Sequence, residues 1–386
     1  MTTFLVVFFV GYIVSTLLTP QASKLAYRIG ALDKPGGRKV HEKITPRLGG
    51  LAVFIAFVVA LSTALYFSPT IRRAVPESFL GVMLGSIVLL IIGIYDDTKG
   101  AKASTKFPFQ FLAAHIAYSY GVKFSLLTKF FSGGSVHLPE AISYVFTILW
   151  LVGVTNAMNF IDGLDALASG LAFIVSTTLL IVSIELDQVF FAAVYASLMG
   201  AIFGFGQYNK YPAKIFLGDT GSTFLGFCLA GSAIIANQKI TTLGGLLIPI
   251  VILGLPVMDT LYAIVRRMQG GGSPFEADRG HIHHRLLEKG YTPKEAVWVI
   301  YLICILLGMM VFLLVHAQND LAALIITLLT ASSFTAGRKL ELLHKRKPKS
   351  PPEDSEAEAT TQTKEPENEE AESRSDEEKE TAKANS

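Results

Sequence analysis

Residues 79–97, FLGVMLGSIVLLIIGIYDD, pass from an uninterrupted apolar run straight into two carboxylates, Asp96 and Asp97. A carboxylate pair at the edge of hydrocarbon is costly to desolvate, so it needs a counter-charge, a metal or water in front of it. Neighbouring residues on a helix point about 100° apart, so the two acids face different surroundings and two roles are expected. The pair reads as one wall of a cation-assisted site, with Lys99, Lys102 and Lys106 following it.

Working outward, the same pattern recurs. The chain has 386 residues, 51% hydrophobic and only 17% charged, which describes a polytopic membrane protein better than a soluble core. Spanning helices need about 20 mostly apolar residues. Eleven such runs can be cut, near residues 2–20, 48–67, 78–95, 107–121, 141–157, 166–184, 189–206, 220–236, 243–264, 295–315 and 321–336. The expected fold class is therefore an all-α polytopic membrane protein of about eleven transmembrane helices with its active site on the cytoplasmic face. The first run lacks a basic start and a small-residue cleavage site, and is read as a retained span. The two cysteines, Cys228 and Cys304, lie inside apolar runs, which supports neither a disulfide framework nor a cysteine metal site.

Orientation follows from Lys and Arg. With the N-terminus outside, the inner segments hold 24 of them and the outer loops 5, which sets the C-terminus inside. Every polar cluster then falls on the cytoplasmic side of the plasma membrane. A transporter usually gathers its carboxylates near the midplane, whereas these lie at one surface, which favours a substrate arriving from the cytoplasm.

Four further segments carry polar chemistry. The first, ALDKPGGRKVHEKITPRLGG, offers Asp33, Arg38, His41 and Lys43 as substrate-binding candidates in a basic loop suited to phosphate; an anchor on anionic headgroups is the simpler account. The second, NAMNFIDGLD, leaves a helix with Asn156, Asn159, Asp162 and Asp165, oxygen donors of the kind magnesium accepts. Caps and an Asp-Gly loop explain one or two of these residues, not four. The third contains Phe216, Leu217, Gly218 and Asp219, and Asp219 at a helix start is either a cap or a site carboxylate. In the fourth, HIHHR, a helix would place His281, His284 and Arg285 on one face. No HExxH pattern or cysteine partner is present, so an anionic substrate suits these residues better than zinc.

The four motifs IYDD, NAMNFIDGLDALA, FLGDTGS and DRGHIHHRL, in that order, resemble the bacterial polyprenyl-phosphate N-acetylhexosamine-1-phosphate transferase family over residues 1 to about 336. The resemblance implies transfer of a sugar 1-phosphate from a UDP-sugar to undecaprenyl phosphate with release of UMP, using magnesium or manganese. It implies that Asn159 and Asp219 hold the metal and that Asp96 and Asp97 line the reacting phosphates. Asp165 and Phe216 would meet the uracil, and Lys106 and Arg285 the pyrophosphate. Asp96, Asp97, Asp162, His281, His283 and His284 make up the catalytic candidates. HIHHRL is similar to the branch using UDP-GlcNAc, while the muramoyl-pentapeptide branch carries three consecutive histidines. Ala166 departs from the family's usual second glycine at that position.

The expected partners are a UDP-sugar, a polyprenyl phosphate and membrane lipids, with no nucleic acid; a homodimer is left open. The alternatives are a phospho-MurNAc-pentapeptide transferase and, in another class, a cation-coupled transporter, against which stands the lack of an internal repeat. The domains expected are a membrane-embedded transferase over 1–336 and a tail over 337–386, basic and then acidic. From Ser350 onward 13 acidic residues face 4 basic ones with almost no apolar residue, the composition of a disordered segment.

Overall fold

Hydrocarbon cannot satisfy a backbone amide, so apolar runs of this length close their hydrogen bonds within themselves as helices. The computed structural model describes residues 1–34, 44–128, 135–238, 243–269 and 280–316, with the single helical positions Leu321, Leu324, Leu328 and Thr335. In order, they form α1 (Thr2–Ile29), β1 (Leu32–Asp33), β2 (Thr45–Pro46), α2 (Gly49–Phe67), α3 (Pro69–Arg73) and α4 (Ser78–Lys99). Next come α5 (Ala103–Ser119), β3 (Leu126–Thr128), β4 (Ser135–His137), α6 (Glu140–Ile161), α7 (Leu167–Glu185) and α8 (Val189–Asn209). The series ends with α9 (Gly218–Asn237), α10 (Leu243–Ile252), α11 (Gly254–Gln269), α12 (Ile282–Glu288) and α13 (Pro293–His316). The strands make two small antiparallel pairs, β1 with β2 (Leu32 opposite Pro46, Asp33 opposite Thr45) and β3 with β4. The chain divides into Met1–His344 and Lys345–Ser386, and the second unit lies outside the described residues.

The chain is an all-α polytopic membrane protein. Eight helices, α1, α2, α4, α6, α7, α8, α9 and α13, are long and apolar enough to cross a bilayer. The eleven expected runs thus reduce to eight among the described residues, for three reasons. The run at 107–121 becomes α5, a helix of 17 residues. The run at 243–264 is divided at Leu253 into α10 and α11, and α11 is amphipathic, burying Asp259, Ala263 and Arg266 while exposing Leu261, Val265 and Met268. The run at 321–336 lies outside the described residues apart from the four positions named. At the other end, α1 does not stop at Pro20 as expected but continues to Ile29, where Gly30 closes it in the left-handed conformation.

At the centre stands α9, all of whose residues are buried, packed by α2, α4, α6, α7 and α10. Lipid tails are as apolar as leucine, so helices in a membrane gain from close backbone approach more than from apolar burial itself. Small residues on α9 permit that approach: a Cβ on Gly50 of α2 would lie 2.1 Å from Gly221 Cα. On the outside, α1 turns Leu5, Phe9, Ile13 and Leu17 outward and lays Gly11, Ser15 and Thr19 inward, mainly against α8.

Gly50→Val is expected to prevent folding, because the branch would enter backbone that cannot yield. Gly153→Ala on α6, with nothing within 4 Å of the added carbon, should leave the protein as stable as before or more stable by about 0.5–1 kcal/mol. The yield of monodisperse protein and the thermal midpoint in detergent would separate the two.

Candidate active site

The polar clusters meet where several helix ends converge. The loop before α9 is stitched to the start of α2: Phe216 N donates to Pro46 O (2.8 Å), Gly49 N to Phe216 O (3.0 Å) and Gly50 N to Leu217 O (2.8 Å). This fixes Arg47 beside the first turn of α9. Asp97, at the end of α4, fills the same place from the other side. Its Oδ1 accepts from Asp219 N (2.9 Å) and its Oδ2 from Thr220 N (2.9 Å) and Thr220 Oγ1 (2.6 Å). Asp97 is thus an N-terminal cap supplied by another helix, favoured by the α9 dipole.

Asp96, one residue earlier, has other partners, so the pair divides its work as its helical geometry demanded. Asp96 Oδ1 accepts from Ala101 N, and its Oδ2 lies 3.1 Å from Lys106 Nζ. The same ammonium is 2.5 Å from Asp219 Oδ2, so Lys106 bridges two carboxylates from α4 and α9. Arg47 completes the cluster, with Nε 3.6 Å from Asp97 Oδ1 and Nη2 3.7 Å from Asp219 Oδ1. Burial works against the charge on Arg47, but Asp97 and Asp219, then Asp33 and Asp96, outweigh it and raise its pKa. Arg47 was not among the expected site residues, although it belongs to the basic loop that suggested them. Of the others in that loop, Asp33 lies on β1, while Arg38, His41 and Lys43 are outside the described residues.

The end of α6 supplies the next group. Asn159 Nδ2 donates to Ser222 Oγ (2.9 Å), and Asn159 also hydrogen-bonds Asp219. Asn156 does not join it: its amide pairs reciprocally with Gln110 of α5, at 2.7 and 3.2 Å. Asp162 follows α6 directly. Burial, then the charge of Asp219, with Asp97 and Asp165 adding to it against Arg47, pushes its carboxyl up to about 8. Asp165 Oδ2 accepts from Ala213 N (2.8 Å), which ties this loop to the segment carrying Phe216. That segment is also held by Asn209, whose Nδ2 donates to Ile215 O (3.0 Å).

Ala166 closes the loop at φ 63°, the left-handed conformation. Glycine adopts it freely and alanine at a cost of about 1–2 kcal/mol. A hydrogen bond from Tyr301 of α13 to Ala166 O restrains it, and that ring lies over Gly170, where a Cβ has no room.

The histidines approach from α12. His281 does not sit within the helix, as expected, but caps it with extended backbone, so the shared face of 281, 284 and 285 is only partly formed. Its ring stacks on that of His283, with centroids 6.0 Å apart, and lies 5.7 Å from Phe160. His283 packs against Gly163, where a Cβ would fall 2.3 Å from its Nε2, so the Asp162–Asp165 loop and α12 are fitted together. Burial, with His284 and His281 nearby, holds His283 well below the ordinary histidine pKa and therefore neutral. The His283 and His284 rings are 4.2 Å apart, and Arg285 Nη1 is 3.6 Å from Glu288. Asp259 of α11 was not anticipated: its Oδ2 lies 2.8 Å from His281 Nδ1 and its Oδ1 accepts from Ile282 N at 2.8 Å.

Among the described residues, no three His, Cys, Asp or Glu side chains stand together as a metal cage. The donors present still fit magnesium, which takes one or two carboxylates and fills its shell with water and substrate phosphate. Asp96 and Asp219 already share one cation, the Lys106 ammonium, and the amide of Asn159 is a hard oxygen donor beside Asp219.

A sequence profile of glycosyl transferase family 4 matches residues 79–237. Over 84% of this chain and 88% of the relative, the sequence is 36% identical to the probable undecaprenyl-phosphate N-acetylglucosaminyl 1-phosphate transferase of Bacillus subtilis (strain 168). It is also 36% identical to the decaprenyl-phosphate N-acetylglucosaminephosphotransferase of Mycobacterium tuberculosis (strain ATCC 25618 / H37Rv), over 75% and 77% of the two chains. Identity is 26%, over 77% and 80%, with the undecaprenyl-phosphate alpha-N-acetylglucosaminyl 1-phosphate transferase of Escherichia coli (strain K12).

Ala166→Gly should raise unfolding stability by about 1 kcal/mol, the left-handed penalty less the added freedom of the unfolded chain, read as a higher thermal midpoint. Asp162 predicts a pH dependence. Folded, it keeps its proton up to about 8, while the unfolded chain releases it near the usual carboxylate value, about 3.9. Its contribution is present below the unfolded value and is lost as pH rises through about 8. The metal-free midpoint should fall between pH 6 and 8.5, and fall less in Asp162→Asn; equal slopes would remove the assignment.

Proposed function

The chain belongs to glycosyl transferase family 4, the polyprenyl-phosphate N-acetylhexosamine-1-phosphate transferases, and we propose that it moves GlcNAc-1-phosphate from UDP-GlcNAc to undecaprenyl phosphate, releasing UMP. The product is the first lipid-linked intermediate of a cell-envelope polysaccharide. The observation that carries this reading is the Lys106 ammonium held between Asp96 and Asp219, beside Arg47. Charge of both signs gathered at converging helix ends, with acid in excess, suits a reaction that moves anionic phosphate with a cation. The N-acetylglucosaminyl designation shared by the relatives supports the choice of sugar. The basic-residue asymmetry supports a cytoplasmic site and C-terminus.

In this reading an oxygen of the lipid phosphate attacks the β-phosphorus of the donor, and the bond from that phosphorus to the bridging oxygen of UMP breaks. A phosphate monoester is largely dianionic near neutral pH, its second pKa being about 6, so the nucleophile needs no dedicated base. Rate then depends on positioning and on neutralising charge. Magnesium, or manganese, would be held by Asp219 and the Asn159 amide oxygen with Asp96 alongside, and would supply Lewis-acid stabilisation of phosphoryl oxygens. Lys106 and Arg47 offset part of the charge of the acidic cluster, and the metal would supply the remaining positive charge that anionic ligands need. Asp97 acts indirectly, by holding the first turn of α9 that presents Asp219. Arg285, His281 and His284 take the diphosphate. The uracil lies by Asp165 and Phe216, whose loops are joined through Ala213.

Purified protein in detergent should release UMP from UDP-GlcNAc with undecaprenyl phosphate, and a chelator should abolish the release. Asp219→Asn should lower kcat/KM at least about tenfold, roughly 1.4 kcal/mol or more, while the protein still inserts and folds. Near-normal magnesium-dependent turnover in that variant would remove Asp219 as a ligand. Preference for UDP-MurNAc-pentapeptide would move the protein to the muramoyl branch.

A further inference from the structure

Asp259 is a carboxylate inside one of the most apolar stretches of the chain, LLIPIVILGLPVMDTL, and it is buried. A group so costly to place needs an occupation. Both its oxygens are engaged with a single turn of chain. Oδ1 takes the amide of Ile282, the first residue of α12, and Oδ2 faces His281 Nδ1, each at 2.8 Å. A carboxylate accepts only, so Nδ1 carries the hydrogen and Nε2 is the ring nitrogen left for a ligand. The ring has little freedom to turn, with His283 stacked beside it and Phe160 tilted against it. His283 in turn rests on Gly163, which brings the assembly against the Asp162–Asp165 loop.

We propose that Asp259 is a positioning residue for His281, holding its Nδ1–H so that Nε2, protonated as the substrate binds, donates to the donor diphosphate. The proposal rests on the transferase reading for its substrate, and on the geometry of α11 and α12 for the residue pair. Among the described residues, Asp259 on α11 and His283 on α12 contact the ring, His284 lies beside His283, and Arg266 of α11 packs on the adjacent Gly280. Among these, Asp259 is the group with a direct hydrogen bond to the imidazole.

The alternative is that Asp259 merely caps α12, and Asp259→Asn distinguishes the two. The amide oxygen can keep the bond from Ile282 N, but the amide nitrogen then faces Nδ1 as a donor, so the ring proton moves to Nε2. With 15N-labelled histidine in the whole chain in detergent and no substrate present, His281, assigned by its loss in His281→Ala, should be protonated on Nδ1 in the unaltered protein. In Asp259→Asn it should be protonated on Nε2. With UDP-GlcNAc and undecaprenyl phosphate, Asp259→Asn should lower kcat at least tenfold, with KM for the lipid within about twofold. In a His281→Ala background it should cause no further loss, because it acts through a ring no longer there. Losses that multiply, or a His281 protonated on Nε2 in the unaltered chain, would overturn the proposal. Absence of UMP release by the unaltered protein would instead sink the transferase reading, while the nitrogen shifts still decide the pairing of Asp259 with His281.

Discussion

The hydrogen bonds from the first amides of α9 to Asp97 are the contact on which the rest of the site depends. The first turn of any helix has amides without intrahelical partners, and those of Asp219 and Thr220, being buried, cannot be left to water. Here the cap comes from α4, so closing the start of α9 also joins the two helices. The same junction sets Gly93 of α4 on Thr220 and Gly50 of α2 on Gly221, leaving no room for a side chain at either glycine. Asp219 is therefore held by backbone on both sides, and its carboxylate is left to Lys106, Arg47 and Asn159.

Electrostatics explains why the cluster needs cations. The C-terminal ends of α4 and α6, which are the negative ends of their dipoles, deliver Asp96, Asp97 and Asp162 to one place. The N-terminus of α9 opposes them, and Asp97 already occupies it. Arg47 and Lys106 offset part of the excess, but Asp162 remains pressed towards its neutral form. In the proposed reaction a divalent cation arriving with a phosphate substrate would relieve that pressure, coupling metal, substrate and the ionisation of the site.

The parts of this arrangement that interrupt hydrocarbon were legible from the sequence. Asp96, Asp97, Asp162 and Asp219 stand at the ends of apolar runs, where a charge demands an explanation, and the structure brings them together. The separate roles of Asp96 and Asp97 follow from their angle on a helix, though the partner of Asp97 depends on a tertiary contact with α9. Asp259 was passed over because 243–264 was read as one span through it; an acid in that run was itself the signal that α11 is amphipathic. Arg47 was legible only as one of several basic residues, since its choice among them is made by the backbone pairing of Phe216 with Pro46. Ala166 was noticed as a departure from glycine, and its left-handed φ gives the reason glycine is expected there.

The geometry also bears on the choice between a transferase and a cation-coupled transporter. A transporter must expose its site alternately to two sides, and its ion ligands commonly come from broken helices near the midplane. The carboxylates here come from terminal turns of unbroken helices, α4 and α9, and from the loop that follows α6. Those ends are locked to one another by caps and by glycine contacts that leave the backbones no room to slide. Rigidity of this kind is a hindrance to alternating access but an advantage to phosphoryl transfer, where reacting groups must be held within a few tenths of an ångström and charge must be met by donors already in place.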